Sequence, residues 1–184
     1  MRPRVKFFMT DSTLQLRDLV VSAVTEIKHD RLASAQALLD QVIVAAPHEP
    51  VPLYLSGTVQ YRLGNFEGAE SLFRQSLRIS PGQPDACFHL AQSLSALKRP
   101  NEAIDFCRQA LKSRPDFPDA WLEMATAQAE IGAIREAETG YRRVLAMTFN
   151  LTAILNLTAL LNSQDEFGES EQILRHALSW IFNV

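Results

Sequence analysis

The stretch PVPLYLSGTVQYRLGNFEGAESLFRQSLRISPGQ, residues 50–83, decides the fold. It opens on Pro50 and carries Leu53, Gly57, Leu63-Gly64, Phe66, Ala69 and Phe73 before closing on Pro81. The same features recur in phase along the chain. Pro47, Pro81 and Pro115 are spaced by 34 residues, as are Ala35, Ala69, Ala103 and Ala137. Four residues after each alanine stand Leu39, Phe73, Cys107 and Tyr141. Several features sharing one period of this size are the signature of a repeat architecture, in which each unit buries its apolar face only against its neighbours.

The phase defines repeats at 16–49, 50–83, 84–117 and 118–150, and a fifth at 151–184 with one residue dropped at the join. Each reads as two helices. Pro50, Pro84 and Pro118 suit the opening turn of a first helix, where the missing N–H has no partner to lose, and Pro81 and Pro115 stop the helix before them. The first helix pairs a bulky residue with small ones a turn later, as Leu53 does with Ser56 and Gly57, or Trp121 with Met124 and Ala125. The second answers with alternating small and large residues, as in Ala69, Phe73 and Ser76. That pattern predicts close antiparallel packing. Asp11 and Ser12, with Gln15 beyond, read as an N-terminal cap.

Three departures stand out. Gly140 falls inside a helix, at an expected cost of about 1 kcal/mol relative to alanine. Phe149-Asn150 replaces the proline between the last two repeats, and Ser170 replaces the expected alanine of the fifth. The join between those repeats is therefore expected to be irregular.

These residues resemble the tetratricopeptide repeat (TPR) family, from about residue 13 to the end. Residues 50–83 hold most of its signature, and Trp121, Met124, Ala125, Ala137 and Tyr141 supply the tryptophan-bearing version. The resemblance implies an all-α, right-handed α-α superhelix of about five repeats and ten helices. It also implies a single domain over 13–184, a disordered extension over 1–12, and a bacterial protein. Residues 1–8 read as an extension if Met9 is the true start.

Composition is ordinary for a globular chain, at 47% hydrophobic and 21% charged. The net charge of −3, with signs interspersed, argues against a nucleic-acid surface. No apolar run reaches the roughly 18 residues of a membrane span, and the apolar stub at Phe7-Phe8-Met9 is too short for a secretory signal. Cys87 and Cys107 are too few for a disulfide framework and sit at core positions. The expected compartment is the cytoplasm. His29, His48, His89 and His176 fall at different phases and are not expected to converge on a metal or an acid–base pair. Asn150-Leu151-Thr152 and Asn156-Leu157-Thr158 match the glycosylation pattern only by accident. No phosphate loop, nucleophile elbow or HExxH occurs, so no catalysis, cofactor or metal is expected.

By the resemblance, first helices line a concave groove that takes a peptide or protein segment. Its expected contact residues are Tyr54, Thr58, Tyr61, Arg62, Phe88, Gln92, Leu122, Thr126 and Leu155, with Arg17 and Lys28 adding positive charge and Asp119, Glu123 and Glu130 negative. The lysine–asparagine–arginine clamp of chaperone-binding relatives is missing: Val20, Tyr54, Phe88 and Leu122 hold one of its positions, and Val24, Thr58, Gln92 and Thr126 the next. Chaperone C-terminal tails are therefore disfavoured. The terminal run Trp180-Ile181-Phe182 is a poor polar cap: it either folds back over the fifth repeat or buries against another copy, and a homodimer through this end is the favoured expectation. The function expected is an adaptor without catalysis. Alternatives are a recruiting or regulatory domain of a longer sulfotransferase- or glycosyltransferase-like enzyme, or a self-assembling scaffold.

Overall fold

A computed structural model describes residues 11–182, with side chains from 13 to 179. Residues 1–10, and with them most of the expected N-terminal extension, lie outside the described residues. So do the side chains of Asp11 and Ser12 and those of Trp180, Ile181 and Phe182. Two compact units divide the chain at Pro81 and Gly82.

The first unit holds α1 (Asp11–Lys28), α2 (Leu32–Ala45), α3 (Pro50–Arg62) and α4 (Phe66–Ile79). The second holds α5 (Pro84–Ala96), α6 (Pro100–Ser113), α7 (Pro118–Glu130), α8 (Ile134–Met147), α9 (Leu151–Asn162) and α10 (Phe167–Phe182). Among the described residues there is no strand, and no helix is long and apolar enough to cross a membrane. Consecutive helices pair as α1 with α2, α3 with α4, α5 with α6, α7 with α8 and α9 with α10. Within each unit the second helix of a pair also packs on the first helix of the next pair, as α2 on α3, α6 on α7 and α8 on α9.

Prolines open α3, α5 and α7 as the sequence predicts, and Pro100 opens α6 as well. Asn150 starts α9 without proline: its Oδ1 accepts from the Ala153 N–H at 2.9 Å. This satisfies one of the unpaired donors of the first turn and rationalises the departure at that join.

First helices all end in the same way. The residue closing each turn has a left-handed backbone: Asp30, Gly64, Lys98, Gly132 and Asp165, with φ between 59° and 79°. The next N–H reaches back five residues, as from Asn65 to the Gln60 carbonyl at 2.9 Å and from Arg99 to the Leu94 carbonyl at 2.9 Å. This is the helix-ending arrangement that favours glycine, because a Cβ is strained at positive φ. Lys98→Gly should therefore stabilise the protein by about 0.5–1 kcal/mol, the strain relieved less the added chain entropy of glycine. An unfolding midpoint that stays put or falls would contradict it.

Small residues mark the helix–helix contacts. A Cβ added at Gly140 would lie 2.7 Å from the Ala125 Cβ, so its propensity cost secures the close approach of α8 to α7. A Cβ at Gly57 would lie 2.7 Å from Cε1 of Phe73. In the first unit Ala23, Ala35, Leu39 and Val59 form a buried cluster. In the second, Tyr141, Val144, Leu157 and Leu161 pack around Ala125, Ala137 and Ala153. Ser170, in the alanine place of the last repeat, is buried too.

Candidate functional site: a cleft along the first helices of the second unit

Helices α5, α7 and α9 place one side chain per turn on a shared face. That face encloses a cleft of about 500 Å³ lined by Phe88, His89, Gln92, Asp119, Leu122, Glu123, Thr126, Thr152 and Asn156. Four of the expected contact residues, Phe88, Gln92, Leu122 and Thr126, thus come together. Leu155, the remaining one in this unit, is 52% exposed on α9 and is not among the lining residues.

Phe88 differs from its expected role. It is only 8% exposed and packs on Phe117 with ring centroids 5.0 Å apart, and on His89 at 5.1 Å. The Arg114 guanidinium caps the stack, 4.6 Å from the Phe117 centroid, and binds both oxygens of Asp85 at 2.9 and 2.8 Å. Phe88 is therefore core first and cleft floor second.

The expected contacts in the first unit are partly committed to structure. Tyr54 packs on Phe73 at 5.9 Å and Tyr61 on Phe66 at 5.4 Å. The Thr58 hydroxyl donates to the Tyr54 carbonyl at 3.0 Å. Arg62 donates to the Ile27 carbonyl at 2.8 Å and to Asp30 at 2.7 Å. Its charge thus serves the C-terminal turn of α1, where carbonyls gather negative potential.

Electrostatics distinguish the cleft of the second unit. The Glu123 carboxyl is half-buried, and Ser95 Oγ on α5 donates to its Oε1 at 2.6 Å. Desolvation holds its pKa above the ordinary carboxylate value, against the lowering effect of the Ser95 bond, with the negative charge of Glu130 adding to the rise. The His89 Nδ1 meets Gln92 Oε1 at 3.0 Å, and burial lowers the pKa of the ring. Asp85 is held low mainly by its hydrogen bonds from Arg114.

The raised Glu123 pKa has a consequence for stability. A carboxyl whose folded pKa exceeds its unfolded 4.5 favours folding at acid pH, and that contribution is lost as pH rises through the folded value. Glu123→Gln should thus raise the denaturant midpoint at pH 7, and the gain should vanish below about pH 4.5. A loss of stability at pH 7 would refute this reading.

A second cleft of about 550 Å³ lies against α8, α9 and α10, lined by Leu145, Met147, Phe149, Ile154, Ile173 and Ala177 among others. It is mainly apolar, and its carboxylate, Glu169, is tied to Arg142 at 2.7 Å.

Sequence comparisons match two family profiles. One, described as Tetratricopeptide repeat, covers residues 94–161. The other, described as Anaphase-promoting complex, cyclosome, subunit 3, covers residues 28–110. Residues 94–161 belong to the tetratricopeptide repeat family, and the helix pairs before and after them repeat the same pairing.

No curated protein sequence matches this TPR chain, but solved structures do. MamA 41-end from Desulfovibrio magneticus RS-1 is similar with a TM-score of 0.84 at 14% identity, over 93% of this chain and 96% of that one. YrrB, described as a TPR protein with an unusual peptide-binding site, gives 0.75 at 18% identity, over 88% of this chain and 84% of its own. A thermophilic TPR protein of Thermus thermophilus gives 0.69 at 18% identity, over 89% and 90%. At such identities the likeness concerns the fold.

Some cleft residues of this TPR protein escape a pattern-based reading. Asn156 sits at a place that no family signature marks and is visible in the sequence only as part of a glycosylation pattern, whereas Thr152 holds the repeat place of Asp119. His89 follows a groove position by one residue, and only the turn of α5 brings it to the same opening. Cys87 and Cys107 are 1% and 0% exposed, as their core positions predict. Burial pushes the Cys87 thiol up to about 11 and the Cys107 thiol higher still, with the Glu123 charge contributing to the latter. Thiols so placed are poor nucleophiles.

Proposed function

We propose that this chain is a cytoplasmic interaction module, without chemistry of its own, that takes an extended segment of a partner protein along the first helices of the repeats in its second unit. The observation that carries the reading is the convergence of Phe88, Gln92, Leu122 and Thr126 on one cleft of about 500 Å³, a size suited to one or two side chains of a ligand. YrrB, similar in fold, is described as having a peptide-binding site. Free thiols at Cys87 and Cys107 agree with a reducing compartment.

The test uses half-exposed lining residues, because Phe88 confounds binding with folding. Gln92→Trp fills the cleft, and Leu122→Ser removes part of its apolar floor. Both variants should keep the helical circular dichroism of the parent while losing the proteins that the parent captures from the source cell, as identified by mass spectrometry. An unchanged set of captured proteins in both variants sinks the proposal.

A second reading has its own observation. Phe149, in the lining of the apolar cleft beside α10, is 46% exposed, and Leu174 and Leu178 on α10 are 38% and 51% exposed. This supports self-association through the last helix pair, as expected from Trp180, Ile181 and Phe182, whose side chains are not described. Light scattering should give a dimer that Phe149→Glu converts to monomer. A strict monomer at high concentration removes this reading.

A further inference from the structure

Asp119 and Glu123 stand one turn apart on α7 and both line the cleft of the second unit. No lysine or arginine is among the lining residues. Nearby Asp85 is neutralised by the two bonds from Arg114. Among the described residues, by contrast, no lysine or arginine pairs with Asp119 or Glu123. We infer that the cleft recognises a cationic side chain, a lysine or arginine of the bound segment, with its head at Asp119 and Glu123 and its stem along Phe88 and Leu122. The inference rests on the reading of this cleft as a peptide groove.

Three physical arguments carry it. First, a carboxylate partly removed from water with no counter-charge is costly, and an incoming cation relieves that cost. The elevated pKa of Glu123 registers the same uncompensated burial. Second, the Glu123 carboxylate is oriented before the ligand arrives. Ser95 Oγ holds Oε1 at 2.6 Å, which leaves Oε2 for a ligand N–H, and a charge-assisted bond there is stronger than a neutral one. Third, the cleft is amphipathic in the manner of the side chain it would take. Lysine and arginine carry an apolar stem and a charged head, and Phe88 and Leu122 offer apolar surface beside the two carboxylates. Gln92, Thr126 and Asn156 supply neutral polar atoms at the same opening. An anionic ligand would meet two like charges and no lysine or arginine, which disfavours it by the same arithmetic.

Random dodecapeptides displayed on phage provide the probe, selected on the purified full chain and, in parallel, on an unrelated protein. Selected sequences should share a lysine or arginine at a fixed distance from an apolar residue. In synthetic copies, lysine→norleucine should weaken binding about tenfold or more, as expected for losing a charged hydrogen-bonded pair. The Asp119→Asn/Glu123→Gln variant should bind the lysine peptide with about the same tenfold loss, and it should no longer distinguish lysine from norleucine. Because both substitutions keep shape and remove unpaired charge, the variant should retain its helical circular dichroism, and this is measured alongside. Peptides that bind at the cleft without lysine or arginine, or with equal affinity for norleucine, would overturn the inference and leave the groove reading standing. If selection retains nothing beyond the unrelated control, the groove reading falls and the inference falls with it.

Discussion

Gly57→Ala should destabilise the protein by about 1–2 kcal/mol, and the same substitution should become stabilising by about 1 kcal/mol once Phe73 is alanine. Alanine is the better helix former, so an exposed glycine in α3 would gain from the change. Gly57 is buried, however, and its new Cβ would meet Phe73 Cε1 at 2.7 Å and Cδ1 at 2.8 Å. Phe73 is 0% exposed, so its ring cannot swing aside without disturbing the core. Phe73→Ala alone should cost about 3–5 kcal/mol, through lost burial and the cavity left behind. In that background the clash is gone and the helix preference of alanine reappears. The four proteins form a double-mutant cycle, read by denaturant unfolding with far-UV circular dichroism. Both tryptophans, Trp121 and Trp180, lie in residues 82–184, so their fluorescence follows the other unit in the same titration. Additive effects would show that Gly57 and Phe73 do not share the contact.

Phe88→Ala should lower stability by about 3–5 kcal/mol, with the loss seen in the tryptophan signal of the second unit. The ring is 8% exposed and lies between Phe117 and His89. Its truncation removes buried area and two aromatic contacts together. Tyr54, 34 residues earlier in the equivalent place, is half-exposed, and Tyr54→Ala should cost clearly less. A loss under about 1 kcal/mol for Phe88→Ala, the scale of an ordinary surface change, would return Phe88 to a purely binding role. The contrast matters for function, since weakened capture by a Phe88 variant would not separate a lost contact from a lost fold.

The repeat is legible because its determinants are local. Proline fixes φ wherever it falls, and the alternation of Ala69, Phe73 and Ser76 encodes a helix face within two turns. The left-handed helix endings are half legible. Gly64 and Gly132 announce themselves, whereas Lys98, Asp30 and Asp165 occupy the same conformation without the residue type that signals it. Gly140 reads as a weakness in the chain alone, and only its approach to Ala125 shows what the missing side chain is for. The candidate site is legible as a set of helix positions, and four of those in the second unit do meet at one cleft.

By itself, then, the sequence determined the period, the helix pairs and the family. Each of these is written within a turn or two of the chain and repeated often enough to rise above chance. Only the tertiary structure decided which groove positions remain available to a ligand. Arg62 is taken up by a carbonyl 35 residues away, and Asp85 by a guanidinium 29 residues on. Glu123 meets a hydroxyl 28 residues back and keeps an uncompensated charge at the cleft. Whether a side chain is spent or open to a ligand depends on partners brought across space by packing, and no local pattern records that.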